Sequence, residues 1–354
     1  MLRALPHLAG FALPLALVAG ARLGGAWTFL PLVLLLGVLP IVDWLSGLNL
    51  RNAGDDAPDL SANVWFRAIT WLWAPVQIAT IGWAVAHIAA GGLPIVEVAG
   101  LIVSTGMIAG TVGITFAHEL IHRPGAFERA LGEILLATTS YTHFAIEHVY
   151  GHHRRVATRE DPATARAGES LYRFLPRCVA GSVASAWRFE IDRIARRGHA
   201  RWHPSNRMLR YAATQVVMYG AVAWYGGAPG AAFLGAQAVV AFLLLETINY
   251  IEHYGLERRE LSPGRYERVA ASHSWNSSHR VSNWLLINLA RHSDHHLIAG
   301  KRYQVLDHLD EAPQLPAGYG AMFIAAWLPP LWRHVMDPRV DEWRRRHVQM
   351  EALR

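Results

Sequence analysis

"PIVEVAGLIVSTGMIAGTVGITFAHELIHR", residues 94–123, decides the fold. Residues 94–117 carry a single charge, Glu97, and as a helix would reach about 36 Å at 1.5 Å per residue, enough to cross a bilayer core of about 30 Å. The apolar run then ends on His118-Glu119-Leu120-Ile121-His122. A spanning helix therefore delivers two imidazoles, one turn apart, to a membrane face. The same five residues satisfy the H-E-x-x-H pattern of zinc proteases, in which the Glu activates water. The stretch alone leaves protease and other metal chemistry both open.

The rest of the chain repeats the apolar theme. Of 354 residues, 52% are hydrophobic and only 17% charged, with 14 Trp, too apolar for an ordinary soluble protein. Six stretches are long enough to span: about 5–22, 27–47, 66–90, 94–117, 209–226 and 229–248. They pair into three hairpins through "ARLGG", "AAGGLP" and "YGGAPG". The expected fold class is all-α, a polytopic membrane protein of about six transmembrane helices forming one integral-membrane catalytic domain over residues 1–354.

Charge sets the orientation. Of the 33 Lys and Arg, 28 lie in segments 118–207 and 249–354, whereas the three tight turns hold only Arg22. The positive-inside rule places both segments, and both termini, in the cytoplasm. "MLRALPHLAGFALPLALVAGA" also reads as a possible secretory signal, with Arg3 before an apolar core and small residues near Ala21; its removal would leave the later segments on the same side.

Histidine is the informative residue. Most of the 19 fall in "HELIH", "HFAIEHVYGHH", "NYIEHYGL" and "RHSDHH". His118 and His122 are four apart, as are His148 and His152, with His153 adjoining; His292 precedes His295 and His296 by three and four. On helices such spacings put side chains on one face, and clustered neutral imidazoles without a metal would be poorly satisfied at a membrane face. His7, His87, His199, His203, His308, His334 and His347 read as ordinary surface or core residues, and spacing gives His253 no credit either. His143, His273 and His279 are candidates for orienting ligands. One catalytic zinc uses three protein ligands, which leaves at least five clustered His unexplained. Two ions bound mainly by nitrogen account for the surplus, although imidazole suits iron, copper and zinc alike. Cys178 is the only cysteine, so this chain alone holds no disulfide, Cys-rich zinc site or iron–sulfur centre. A Gly-rich phosphate loop is absent too, which argues against nucleotide binding.

In order and separation, "HELIHR", "EHVYGHHRRVATREDPATAR", "NYIEHYGL" and "SWNSSHRVSNWLLINLARHSDHH" resemble the motifs of the membrane-bound alkane 1-monooxygenases, non-haem di-iron enzymes of bacteria. The resemblance covers about residues 20–310. It implies a six-span protein of the inner membrane with two irons on the cytoplasmic side. His118, His122, His148, His152, His153, His253, His292, His295 and His296 fall on the family's ligand positions. The resemblance thus promotes His253, which spacing did not. Glu119 then need not activate a zinc water. It becomes, with Glu147, Asp161, Glu252 and Asp294, a candidate to orient an imidazole or balance metal charge. Departures from the usual pattern occur at Arg123, Arg159 and Ala290; no ligand position is lost, but substrate identity is left open.

The implied reaction is hydroxylation of the terminal carbon of an alkane-like hydrophobe with O2, substrate entering from the bilayer. The implied electron donor is rubredoxin, itself reduced by an NAD(P)H-dependent rubredoxin reductase. Arg154, Arg155, Arg258, Arg259, Lys301 and Arg302, near the His clusters, would steer an acidic partner. The competing readings are a xylene-type hydroxylase, a fatty-acid desaturase, a membrane zinc metalloprotease and a metal transporter. The last would need ionisable residues inside its spans, and the apolar runs are nearly free of them.

Overall fold

The computed structural model describes residues 2–352, and side chains as far as residue 346. Helix dominates because in lipid every backbone N–H and C=O must find its partner within the segment. Five helices are long and apolar enough to cross a membrane: α1 (Leu2–Leu23), α2 (Gly25–Ser46), α3 (Val64–Ala89), α4 (Ile95–Ile121) and α7 (Arg207–His253). On the connecting and C-terminal segments lie α5 (Ala126–Thr138), α6 (Leu171–Ala195), α8 (Arg280–Leu285), α9 (His292–Leu297), α10 (Tyr319–Trp327) and α11 (Pro329–Ala352).

Five long helices hold six apolar arms, because α7 is two antiparallel arms. Gly227 sits inside it at φ 63°, ψ −166°, a conformation that glycine adopts without steric cost. The chain reverses there. Tyr219 Oη lies 3.6 Å from where a Cβ on Gly235 would stand, so residues eight before and eight after Gly227 face each other. Positive-φ glycines, Gly24 with Gly25 and Gly91 with Gly92, mark the other two turns. All three hairpins consequently present their open ends, and the His motifs, to one membrane face.

Small residues let the spans approach closely, as lipid-embedded helices require. A Cβ at Gly110 of α4 would lie 2.8 Å from the Ala241 carbonyl of α7. The same two helices carry His118 and His253, so this contact fixes the spacing of two site elements. Outward from the bundle, Leu15, Val33, Ile41, Leu72, Ile78, Val216 and Val217 are exposed. In water such a belt would be a liability; against acyl chains it is the required surface. The first segment packs into the common core through Leu13 and Leu17.

Polar ties hold the site-bearing segments onto the bundle. Asp43, buried at the end of α2, accepts hydrogen bonds from the N–H groups of Val281 at 3.0 Å and Ser282 at 2.8 Å and from the Ser282 hydroxyl, capping α8 from a distant part of the chain. Asn276 donates to Ser293 Oγ at 2.6 Å and accepts from the Ser293 N–H at 2.8 Å. These contacts fix the start of α9 and hence its three His.

Candidate metal centre

The nine His come from four places. His118 lies in the last turn of α4 and His122 just beyond it; His148, His152 and His153 lie on segment 144–155; His253 ends α7; His292, His295 and His296 lie on α9. They converge as two groups, His118, His122, His148, His153 and His295 in one, and His152, His253, His292 and His296 in the other, with ring nitrogens in each group within 4.8 Å of one another. The neighbouring sequence positions divide between groups. Residues 147–152 form a π-helical turn, wider than an α-turn, and His148 groups there with His153 rather than with His152. The expectation from spacing, that His148 and His152 share one place, is corrected on that ground.

The donor set fits metal ions. Within the first group His118 Nε2 is 2.6 Å from His148 Nε2, and His153 Nε2 is 3.0 Å from His148 Nε2. In the second, His292 Nε2 is 3.2 Å from His253 Nε2 and 3.0 Å from His296 Nε2. His122 Nε2 and His152 Nε2 are buried without a partner. Nitrogens bound about 2.1 Å from one ion stand at most about 4.2 Å apart, and a cation supplies the partner that these converging lone pairs lack. Protonation is also set for it. Burial first, and then the neighbouring imidazoles, push His122, His148, His153, His292, His295 and His296 far below the usual histidine range, which keeps them in the neutral form that ligation needs.

His152 is different. Burial would push it down, but the Asp161 carboxylate, 2.9 Å from its Nδ1, outweighs burial and raises it. Burial likewise would raise Asp161, yet His152 and the Thr164 hydroxyl bring it to about 2. With Nδ1–H committed to Asp161, His152 turns Nε2 and its lone pair inward, the carboxylate–imidazole arrangement that orients metal ligands.

The five acids fall into two classes. Glu119 faces Arg123 at 3.5 Å, Glu147 faces Arg155 at 2.8 Å, and Asp294 faces Lys301 at 2.7 Å, so each is matched by a cation. Asp161 and Glu252 are the two that touch imidazoles, Glu252 Oε2 lying 3.2 Å from His292 Nε2. Both serve the four-His group. Sequence reading missed Tyr319, whose hydroxyl donates to Glu252 Oε1 at 2.8 Å; no motif surrounds it. Arg123, noted as a departure, forks to the carbonyls of Glu119 and Gly300, each at 2.9 Å, tying the end of α4 to the segment after α9.

The remaining His stay outside both groups. His143 meets Tyr141 edge-on, ring centroids 4.2 Å apart. Ring contacts or hydrogen bonds hold His273 to Glu267, His279 to Ser277, His7 to the Trp284 carbonyl, His87 to Trp83, His199 to His203, and His308 to Ser278. His334 is exposed, and the His347 side chain lies outside the described residues. Of the six basic residues expected to steer a partner, Arg155, Lys301 and Arg302 are drawn into ion pairs with Glu147, Asp294 and Asp307, and Glu128 respectively. Arg258 is half-buried and donates to the carbonyls of Glu267 and Arg154, and Arg154 and Arg259 are exposed.

An apolar cleft with about 850 Å³ of free space, its mouth included, runs between the spans to both groups. Leu36 and Leu39 of α2, Met107 and Ile114 of α4 and Leu244 and Ile248 of α7 line it, and it ends on His118, His148, His292 and Glu252.

Similarity to known proteins agrees with this geometry. Residues 93–326 match the family model described as fatty acid desaturase. Alkane 1-monooxygenase 2 of Pseudomonas aeruginosa is 41% identical over 326 residues, covering 91% of this chain and 86% of the relative. Alkane 1-monooxygenase 1 of the same organism is 42% identical, covering 89% and 83%. The hydroxylase component of the xylene/toluene monooxygenase of Pseudomonas putida is more distant, 27% identical over 93% and 87%. The chain belongs to the alkane 1-monooxygenase family, a group of membrane oxidoreductases.

Proposed function

From that membership we propose that the protein hydroxylates the terminal carbon of an alkane or similar hydrophobe, taking one oxygen atom from O2 and releasing the other as water with two electrons and two protons. The observation that carries this reading is the apolar cleft ending on both His groups. An alkane offers no polar handle, so burial at about 0.8 kcal/mol per CH2 is its main driving force into such a cleft. Entry between the spanning helices follows.

On this reading His118, His122, His148, His153 and His295 hold one iron, and His152, His253, His292 and His296 the other. When bound, the iron pair supplies dioxygen activation and the removal of hydrogen from an unactivated C–H bond, chemistry no side chain can perform. The chain's residues do the rest. Asp161 fixes the His152 tautomer, Glu252 turns Oε2 toward the four-His group while its Oε1 accepts a hydrogen bond from the Tyr319 hydroxyl, and Leu36, Leu39, Met107, Ile114, Leu244 and Ile248 exclude water and align the chain. Substrate is thereby presented end-on to His118, His148 and His292.

Electrons come from a partner, since one cysteine and no nucleotide loop leave the chain without its own relay. We assign that role to rubredoxin, reduced by an NAD(P)H-dependent reductase, docking on the His-bearing face. The excess of Lys and Arg on the segments beside the His motifs supports a cytoplasmic side for that face, and we assign the protein to a bacterial inner membrane. The test is turnover of octane with reduced rubredoxin and 18O2: 1-octanol carrying one labelled oxygen supports the reading. Unlabelled alcohol, or an alkene, overturns it.

A further inference from the structure

A second cleft opens on the His-bearing face, between the start of α1, the segment after α2, the start of α3 and the α8–α9 connection. Its free space, open mouth included, is about 1730 Å³. Arg3, Arg51, Arg280 and Arg291 line it, against one carboxylate, Asp56. Asp56 is engaged by Arg3 at 2.7 Å. Among the described residues, no carboxylate forms an ion pair with Arg51, Arg280 or Arg291.

Arg291 makes this more than a charged surface. It is buried, only 5% exposed. Its terminal nitrogens donate to the carbonyls of Leu306 at 2.6 Å, Asn49 at 2.8 Å and Arg51 at 3.0 Å, and its Nε–H has no partner. Carbonyl dipoles satisfy donors but do not neutralise a charge, and Asp307 and Asp294 favour the charged guanidinium only from beyond ion-pair distance, so part of the cost of burying it remains. An anion in the cleft would relieve that cost. Gln304 also lines the cleft, and its buried Oε1 accepts no hydrogen bond.

Position then favours a lipid. Arg3 stands at the beginning of α1, Phe66 at the beginning of α3, and Trp284 completes the wall, so the cleft lies at headgroup level, where Trp is enriched. Basic pockets between membrane helices are suited to anionic headgroups. We propose that this cleft binds the headgroup of an anionic glycerophospholipid, its phosphate against Arg51 and Arg280 with the buried charge of Arg291 behind them. Because Arg291 directly precedes His292, occupancy braces the entry to α9. The site does not depend on the reaction assigned above, and its test does not use turnover.

The experiment is thermal unfolding of the purified full chain in neutral detergent micelles doped with phosphatidylglycerol, with phosphatidylcholine, or with inorganic phosphate. Phosphatidylglycerol should raise Tm by about 5 °C over phosphatidylcholine, the size expected of a ligand held well above its Kd. The double variant Arg51→Gln/Arg280→Gln should lose most of that increment, whereas Arg197→Gln/Arg265→Gln, which removes equal charge elsewhere, should keep it. An equal, Arg51- and Arg280-dependent rise with millimolar phosphate supports the same phosphate chemistry and identifies free phosphate as the source. Should the double variant fail to fold, native mass spectrometry of the wild type decides: retained phosphatidylglycerol in preference to phosphatidylcholine supports the site. No preference, a rise untouched by the double variant, or a variant defective only in binding acidic rubredoxin overturns the proposal.

Discussion

Tyr319 donates its hydroxyl to Glu252 Oε1 at 2.8 Å while Glu252 Oε2 stands 3.2 Å from His292 Nε2, so a residue of α10 sets the orientation of a carboxylate that faces the four-His group. Tyr319→Phe removes one hydrogen bond of about 1 to 1.5 kcal/mol and leaves an oxygen of Glu252 buried without its donor. Turnover should fall roughly tenfold with metal content unchanged. Metal analysis alongside steady-state rates checks this; loss of metal in step with rate would make Tyr319 a purely structural residue.

Asp161 and Glu119 should behave oppositely. Asp161→Asn can no longer hold the His152 Nδ1–H as a charge-assisted partner, and loss of such a contact weakens metal binding about 10- to 100-fold. Iron retained after dialysis against chelator should therefore fall. Glu119 is matched by Arg123 and touches no imidazole nitrogen among the described contacts, so Glu119→Gln should keep rate and iron within about threefold, a change of under 1 kcal/mol. A protease-type site gives the reverse, with Glu119→Gln inactive.

Met107 lines the cleft on α4, eleven residues before His118 and thus about 16 Å from it along the helix axis. Met107→Trp should block the far end. The longest alkane accepted should become shorter by several carbons, while short alkanes turn over within about threefold of wild type, because their path does not reach that depth. Product profiles over a ladder of chain lengths decide it.

Glu190 gives a stability prediction away from the site. It is buried and pairs with Arg193 at 2.8 Å and Arg207 at 2.6 Å, joining α6 to the start of α7. Burial would raise its pKa, but hydrogen bonds from the two arginines lower it from 4.5 to about 2. A carboxylate depressed on folding contributes stability that is present above its unfolded pKa and is lost as pH falls through the folded one. That contribution should fade between about pH 4.5 and pH 2. Glu190→Gln should lower stability at pH 7 by about 2 kcal/mol and flatten the acid limb of the unfolding curve.

Much of this architecture is legible in the sequence for identifiable reasons. Lipid forces long apolar runs, and reversal at Gly227 needs a residue that tolerates positive φ, so spans and turns show in composition. The nine His show because they sit in dense, ordered motifs. Their partition into five and four does not, because a π-helical turn over residues 147–152 breaks the four-residue periodicity that spacing arguments assume. Glu252 meets Tyr319 across 67 residues, and Arg302 meets Glu128 across 174. Contacts of that range leave no local signature, which is why Tyr319 was unreadable and why several basic residues that looked free are internally paired.

The most direct test of the central claim is the metal content of purified chain, measured by mass spectrometry for wild type and for His118→Ala and His253→Ala, one from each group. About two irons per chain in the wild type, with both variants losing iron and turnover together, is the predicted result. A fully active protein holding a single zinc, or one whose iron and activity survive His253→Ala, would contradict it.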